Sequence, residues 1–349
     1  MSVRITNLPE FDDHELVIFV SDSHADLRGF IAIHRGGPMI RSLGATRLWH
    51  YDSEMDALKD TLRLSKLMSY KSALAGLKYG GAKAVLMAPA GGLKKRKCLF
   101  QAFARKVDVL GGHFVTGTDV GVTGADVKVM RGETRYVIGS KVDPAYYTGL
   151  GAFDGIQASL EHVFGSKKVE QRSFAVQGIG KTGSSLIAML YKKGSQKIFA
   201  ADIDAAAVRR IKKKFPRVSI VSPRDIHKQS VDVFSPCALN GALNPTSVLE
   251  LRCKIVAGSA NNQLSEERVG RLLMKRGILY APDYVINAGG LISVVDEMEH
   301  KTPDQKRILN RVGKIQKTLR LIFDRSRRYN RATNVVANRM AEKIFNDQK

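Results

Sequence analysis

Cysteine is scarce: Cys98, Cys237 and Cys253 are the only three in 349 residues, too few and too scattered for a disulfide framework or a zinc site. No apolar run is long enough to span a bilayer, and the opening MSVRITNLPEFDDHE lacks the apolar core of a secretion signal. No repeat, low-complexity tract or Ser/Pro-rich linker interrupts the chain. Negative charge is also short, with 33 Asp and Glu against 56 Lys and Arg, a net charge of +23. With 44% hydrophobic and 26% charged residues the composition is that of a globular protein, which excludes wholesale disorder. These absences predict a soluble, reduced, cytoplasmic protein with no metal site and enough chain for two domains.

The basic excess is concentrated near the C-terminus. Residues 301–349 hold six lysines and eight arginines against four acids, ten of the 23 excess charges. Such a segment can neutralise the phosphates of a nucleic acid. However, Val312, Ile315, Leu319, Ile322 and Phe323 recur at helical spacing, and Val336, Met340 and Ile344 follow four apart. The periodicity favours amphipathic helices whose basic residues are a solvated face, rather than a phosphate-binding surface.

Two rhythms divide the sequence. Leu16–Val20 and Phe30–Ile33 flank a polar turn and predict a hairpin. A helix should start at Asp52-Ser53, both good caps, and run through Lys71. A strand, Ala84–Met87, should follow Gly80-Gly81. From about residue 170, short apolar runs alternate with helical stretches: Phe174–Val176, Lys197–Asp202, Val218–Val221, Val231–Phe234, Ile255–Ala257 and Ile278–Tyr280. That is the rhythm of a doubly wound parallel sheet. The fold class is therefore α/β in two domains, the second of Rossmann type. The change of rhythm, with Gly149 and Gly151, places the boundary near residue 145, between a first domain over 1–144 and a Rossmann-type domain over 145–324. The last helix, about 325–349, is expected to return to the first.

Gly178-Ile179-Gly180-Lys181-Thr182-Gly183 is a complete GxGxxG between a predicted strand and a predicted helix. The first glycine permits the tight turn, the second lets backbone approach a pyrophosphate, and the third lets helix and strand pack closely. Asp202, at the end of the next strand, lies 19 residues beyond Gly183, near the ~20 expected of a ribose-binding acid. Its carboxylate would accept from ribose hydroxyls and repel a 2′-phosphate, favouring NAD over NADP. A P-loop reading of Gly180-Lys181-Thr182 fails because position 175 is Ala where that motif needs Gly.

Lys71 and Lys83 are twelve residues apart around Gly80-Gly81, and Asp119 stands in the otherwise uncharged stretch Val115–Gly121. Taken singly, each lysine reads as a surface residue and Asp119 as a turn or cap residue. Taken together they carry a likeness. Lys71–Leu77 followed by Gly80-Gly81-Ala82-Lys83 resembles the catalytic-lysine segment of the amino-acid dehydrogenase superfamily, whose members act on glutamate, leucine, phenylalanine, valine or tryptophan. Asp119–Thr123 resembles the segment with that family's catalytic aspartate. Pro236-Cys237-Ala238-Leu239, Ala257–Leu264 and Tyr280–Gly290 continue the likeness in order, from about residue 15 to 295. It is nearest to the leucine, phenylalanine and tryptophan branch. The chain departs from the family at Ala82, where a third glycine is common, at Thr118, and at Pro38, five residues before the Leu43-Gly44 pair it normally adjoins.

The resemblance implies a role for each residue. Lys71 pairs with the substrate α-carboxylate, Lys83 activates water as base, and Asp119 relays protons at the substrate nitrogen. Asn262 and Asn287 hold nicotinamide ribose or substrate carboxylate, and Thr148 contacts the nicotinamide carboxamide. Gly178, Gly180, Lys181, Thr182, Gly183, Asp202, Ile203, Cys237, Ala238 and Ala260 complete the NAD site. Gly44, Ala45, Met68, Gly117, Leu291 and Val294 line an uncharged side-chain pocket, which disfavours glutamate because its γ-carboxylate would be buried unpaired. The implied activity is reversible NAD-dependent oxidative deamination of an apolar L-amino acid, leucine, valine or isoleucine first, to the 2-oxo acid and ammonia, by a homo-oligomer. An aromatic substrate, tryptophan or phenylalanine, is the alternative. A non-catalytic relative that binds nucleotide or nucleic acid is the more distant one, and the complete Lys71, Lys83 and Asp119 set argues against it. Neither a membrane nor a nucleic acid is an expected partner.

Overall fold

The computed structural model describes residues 4–36, 41–89, 92, 94–139, 141–238, 241–300 and 302–347. The chain divides into two compact units, Met1–Val142 and Asp143–Lys349. Among the described residues no helix is long and apolar enough to cross a membrane.

The first unit contains β1 (Leu16–Asp22), β2 (Leu27–Arg35), β3 (Ser42–Leu43), β4 (Thr46–Trp49), α1 (Glu54–Leu74), β5 (Gly80–Met87), α2 (Arg96–Val109), β6 (Phe114–Val115) and α3 (Gly124–Arg131). The expected hairpin is β1–β2, antiparallel with Leu16 opposite Ile33. Strand β5 is the centre of the sheet. It pairs antiparallel with β2 and parallel with both β3 and β4, which are one strand interrupted at Gly44-Ala45. Ser53 caps α1 by accepting the Asp56 N–H at 3.1 Å. Helix α1 covers one sheet face through Ala57, Leu58 and Leu62 against Phe30 and Val85. On the other face α2 packs Phe100 and Phe103 against Ala82, Ala84 and Leu86. Gly81 makes the α1 contact possible, because a Cβ there would lie 1.9 Å from the Ser69 nitrogen.

The second unit runs α4 (Pro144–Phe164), β7 (Ser173–Gln177), α5 (Lys181–Lys192), β8 (Lys197–Ala201), α6 (Ala205–Lys214), β9 (Ser219–Ile220), β10 (Val233–Pro236), α7 (Pro245–Glu250), β11 (Ile255–Val256), α8 (Val269–Lys275), β12 (Leu279–Tyr280), α9 (Asp283–Ile286), α10 (Gly289–Glu299), α11 (Gln305–Val312), α12 (Lys314–Tyr329) and α13 (Thr333–Asn346). Its strands are all parallel, in the order β12-β11-β10-β7-β8-β9. This is the doubly wound arrangement, with the order reversing at β7 where the glycine-rich turn begins.

The units divide at 142/143, and Gly149 and Gly151 lie just beyond, inside α4. They serve close packing: a Cβ on Gly149 would stand 2.8 Å from Ser185 Cβ, and one on Gly151 2.7 Å from the Ile286 carbonyl oxygen. The C-terminal helices, expected to return to the first unit, are instead gathered into the second. The buried face of α12, with Ile315, Leu319, Ile322 and Phe323, is received by α4. Ile315 and Leu319 approach at Gly151 and Gly155, where side chains would block them. The predicted apolar spacing is thus a buried face, and Lys314, Lys317, Arg325 and Arg328 are exposed.

Candidate active site

In the first unit, strand register assembles a buried charge cluster. Arg47 on β4 is opposite Val85 on β5, and Lys83 lies two residues before Val85, so Arg47 and Lys83 share the sheet face that α1 covers. The segment after β6 runs beside β4, with Thr46 donating to the Gly117 carbonyl and Leu48 to that of Val120, both at 2.9 Å. This brings Asp119 to the same place. Lys83 Nζ donates to Asp119 Oδ2 at 2.6 Å, and Arg47 Nε donates to the same oxygen at 3.1 Å. Lys83 and Asp119 side chains are only 6% and 11% exposed.

Such burial decides the protonation chemistry. Removal from water pushes the Lys83 ammonium below the ordinary lysine range; Asp119 opposes that fall and Arg47 adds to it. Burial alone would raise the Asp119 carboxyl, but Lys83 and Arg47 outweigh it and hold it well below the usual carboxylate range. The pair is therefore a lysine that holds its proton less tightly than a free one, beside an ionised carboxylate. Arg47 is the cation that shares Asp119 Oδ2 with Lys83. Lys71 sits half-buried in the last turn of α1, where a cation suits the helix C-terminus.

The first-unit members of the expected side-chain pocket gather around the start of β5. A Cβ on Gly44 would lie 2.2 Å from the Ala82 carbonyl oxygen, and the Ala45 carbonyl accepts from Ala84. Gly81 abuts the backbone of Met68 and Ser69, and Gly117 is buried beside the Ile138 carbonyl oxygen. Leu291 and Val294 lie on α10 in the second unit, buried and half-buried. Pro38, with Gly37, Met39 and Ile40, lies outside the described residues, as does Leu239.

In the second unit, Gly178 adopts φ +90°, and a Cβ there would meet the Ala238 nitrogen at 2.6 Å. Gly183 lies against Gly178, where a Cβ would stand 2.0 Å from its carbonyl oxygen. Gly180, by contrast, faces open space at the start of α5 and caps the helix with no side chain. Its free amides and the helix dipole suit a diphosphate there. Lys181 is exposed and Thr182 half-buried beside it. Asp202 Oδ2 accepts the Ile179 N–H at 2.7 Å, and the neighbouring Ile203 is 92% exposed.

Further along the sheet edge, Cys237 donates its N–H to the Gln177 carbonyl; its thiol is pushed up by burial. Ala238 is exposed and Ala260 buried. Asn262 holds a left-handed φ of +50°, and Asn287 Nδ2 donates to Asn261 Oδ1 at 2.8 Å. The buried Asn262 Nδ2 and Asn287 Oδ1 have no protein partner, one a donor and one an acceptor. Buried polar atoms of this kind demand partners, and the hydroxyls of a nucleotide ribose match both. Thr148 donates its hydroxyl to the Pro144 carbonyl at 2.8 Å and lies against Gly290. The donor set, the open glycine and the strand-end acid fit a dinucleotide.

Reading the sequence missed Arg47, Asp60 and Tyr51. Arg47 NH1 donates to Asp60 Oδ2 at 2.9 Å, and Tyr51 to the same oxygen at 2.6 Å. The available signal was Arg47 itself, a charge inside the strand Thr46–Trp49 between residues that pack inward.

A doubly wound nucleotide unit in one chain with a unit that buries a lysine–aspartate pair defines a two-domain dehydrogenase. Residues 14–136 match the Glu/Leu/Phe/Val dehydrogenase dimerisation domain, and residues 139–344 the Glutamate/Leucine/Phenylalanine/Valine dehydrogenase domain. The chain belongs to this family of amino-acid dehydrogenases. A leucine dehydrogenase of Bacillus cereus is 40% identical over 352 residues, covering 98% of this chain and 93% of the relative. An L-tryptophan dehydrogenase of Nostoc punctiforme is 41% identical over 342 residues, covering 96% and 94%. The crystal structure of L-tryptophan dehydrogenase from Nostoc punctiforme matches with a TM-score of 0.81 at 40% identity, covering 96% of each chain. The likeness to the leucine, phenylalanine and tryptophan branch is thereby borne out.

Proposed function

We propose that this chain catalyses the reversible, NAD-dependent oxidative deamination of leucine, valine or isoleucine to the 2-oxo acid and ammonia. The observation that carries the reading is the buried Lys83–Asp119 pair, 2.6 Å apart, with the lysine depressed and the carboxylate kept ionised. A 2-amino acid presents one anionic handle and one amine that must shed a proton. Lys71 supplies the cation for the α-carboxylate. Asp119 accepts and returns the proton at the substrate nitrogen. When bound, the nicotinamide supplies the acceptor for the hydride from Cα. Hydride loss from Cα leaves a C=N bond; neutral Lys83 takes a proton from water as the water oxygen bonds to that carbon. Asp119 returns its proton to nitrogen, and as the C–N bond breaks and ammonia leaves, the hydroxyl proton passes to Asp119, ionised again, and the 2-oxo group forms. The residues proposed to hold NAD are Gly178–Gly183, Asp202, Ile203, Cys237, Ala238, Ala260, Asn262, Asn287 and Thr148. Asp202 favours NAD because a 2′-phosphate beside its carboxylate would be repelled.

The proposed side-chain pocket has no charge: Ala45, Met68, Leu291 and Val294 are apolar, and Gly44 and Gly117 lack side chains. This supports an aliphatic substrate and disfavours an acidic one. A second reading, an aromatic substrate, is supported by Gly117 and by the 41% identity to an L-tryptophan dehydrogenase. A homo-oligomer is proposed from the family's dimerisation domain. NADH absorbance with a panel of twenty amino acids, each tried with NAD⁺ and NADP⁺, tests the reading. Branched-chain substrates with NAD⁺ are expected to lead. No turnover of any amino acid would overturn it.

A further inference from the structure

We propose that Arg47 is a positioning residue that keeps Asp119 paired and ionised in the resting site, ready to accept the substrate's proton, whichever protonation state Lys83 holds, and that Asp60 sets how strongly it does so. The proposal rests on the reading of Lys83 as the base. Asp119 Oδ2 receives two cationic donors, Lys83 Nζ at 2.6 Å and Arg47 Nε at 3.1 Å. A guanidinium keeps its charge at every pH the enzyme meets, whereas an amine does not. When Lys83 is neutral, Arg47 is therefore the cation left on a carboxylate that is only 11% exposed. Without it, loss of the lysine proton would strand a buried anion, and Asp119 would hold that proton on Lys83.

Arg47 is itself fixed from the other side. Asp60 on α1 accepts its NH1 at 2.9 Å, the Tyr51 hydroxyl at 2.6 Å, and on Oδ1 the Arg63 guanidinium at 2.7 Å. Charges thus alternate from Lys83 through Asp119 and Arg47 to Asp60. The groups acting on Lys83 come from β4 (Arg47), the segment after β6 (Asp119) and α1 (Asp60); Arg63 on α1 and Tyr51 in the turn after β4 hold Asp60 in turn. Arg47 works to lower the affinity of Lys83 for its proton, and Asp119 and Asp60 work to raise it.

Signs follow that a merely structural role would not produce. The rate of amino-acid oxidation rises with pH as Lys83 loses its proton. Arg47→Met removes a cation, so the rising limb moves to higher pH, by roughly one unit. Asp60→Asn removes an anion at constant volume, so the limb moves to lower pH. Arg47→Lys keeps the charge but loses the fork that grips both carboxylates. Its limb stays near that of the wild type while kcat falls.

The experiment is kcat/KM against pH for wild type, Arg47→Met, Arg47→Lys, Asp60→Asn and Lys83→Ala, with folding checked by circular dichroism. Opposite displacements in Arg47→Met and Asp60→Asn support the proposal. A limb that Lys83→Ala abolishes but that neither variant moves, or that both move the same way, overturns it while leaving Lys83 as base. If Arg47→Met does not fold, Asp60→Asn decides: a lower limb supports the proposal, an unchanged or higher one overturns it. A rising limb that persists in Lys83→Ala means that Lys83 is not the base, and both readings fall.

Discussion

Asp202 at the end of β8 accepts the N–H of Ile179 at 2.7 Å, so one carboxylate both closes the glycine-rich turn and stands at the edge where a ribose would lie. Replacing it has two consequences. Asp202→Ser combined with Ile203→Arg removes the anion and adds a cation at a 92% exposed position. Discrimination against NADP⁺ should relax, while KM for NAD⁺ rises because the turn loses its acceptor. Steady-state kinetics with both nucleotides measure this. A wild-type enzyme that already uses NADP⁺ as well as NAD⁺ would remove Asp202 as the selector.

Gly117→Leu is expected to lower turnover of bulky amino acids and to leave NAD⁺ affinity unchanged. A Cβ at Gly117 would already lie 3.3 Å from the Ile138 carbonyl oxygen, so a branched side chain there crowds the wall of the proposed pocket. The clash should cost on the order of 1–3 kcal/mol, or about ten- to a hundredfold in kcat/KM for leucine. Unchanged leucine kinetics would take Gly117 out of the pocket.

Lys83→Ala and Lys71→Ala should leave different marks. Loss of the base lowers kcat by about a hundred- to ten-thousandfold with substrate and NAD⁺ still bound. The variant should fold, because Arg47 still pairs Asp119. Loss of the carboxylate anchor mainly raises KM, with a smaller fall in kcat. In the wild type the rate should rise with pH through a group below the ~10.4 of a free lysine, since burial depresses Lys83. The reverse pattern between the variants would exchange the two roles.

Acid should destabilise the first unit through the same cluster. Asp119 and Asp60 are both held below the ordinary carboxylate value despite burial, by Lys83 and Arg47 for the first and by Arg47, Tyr51 and Arg63 for the second. Between their folded and unfolded pKa values the unfolded chain therefore binds protons that the folded chain does not. The stabilisation is complete above about pH 4 and is lost as pH falls below it. The thermal midpoint should drop between about pH 6 and pH 3, and by less in Asp60→Asn, which has one fewer carboxylate to titrate. An equal drop in both would remove Asp60 from this account.

Much of the fold was legible because its signals are local. The β1–β2 hairpin, the Ser53 cap and the strands of the nucleotide unit each depend on residues within a few positions of one another. The glycine-rich turn and Asp202 were also readable, since strand, turn, helix and next strand follow one another without interruption. Lys71, Lys83 and Asp119 were found by likeness and not by pattern, for nothing in their immediate sequence distinguishes a buried charge from an exposed one.

Sequence by itself determined the two units, the parallel sheet, the turn that suits a dinucleotide and the apolar face of the C-terminal helices. Periodicity and glycine spacing are enough for these, because the backbone converts them directly into faces and turns. Tertiary structure alone decided what surrounds them. It put Gly149 and Gly151 in a packed helix, since only the approach of Ser185 and Ile286 shows why no side chain stands there. It drew α12 onto α4, because an apolar stripe announces burial without naming its cover. It also joined Arg47 to Asp119 across 72 residues: strand register sets both beside Lys83, and the energy of a buried charge depends on which charges lie within a few ångströms, however far apart they are in the chain.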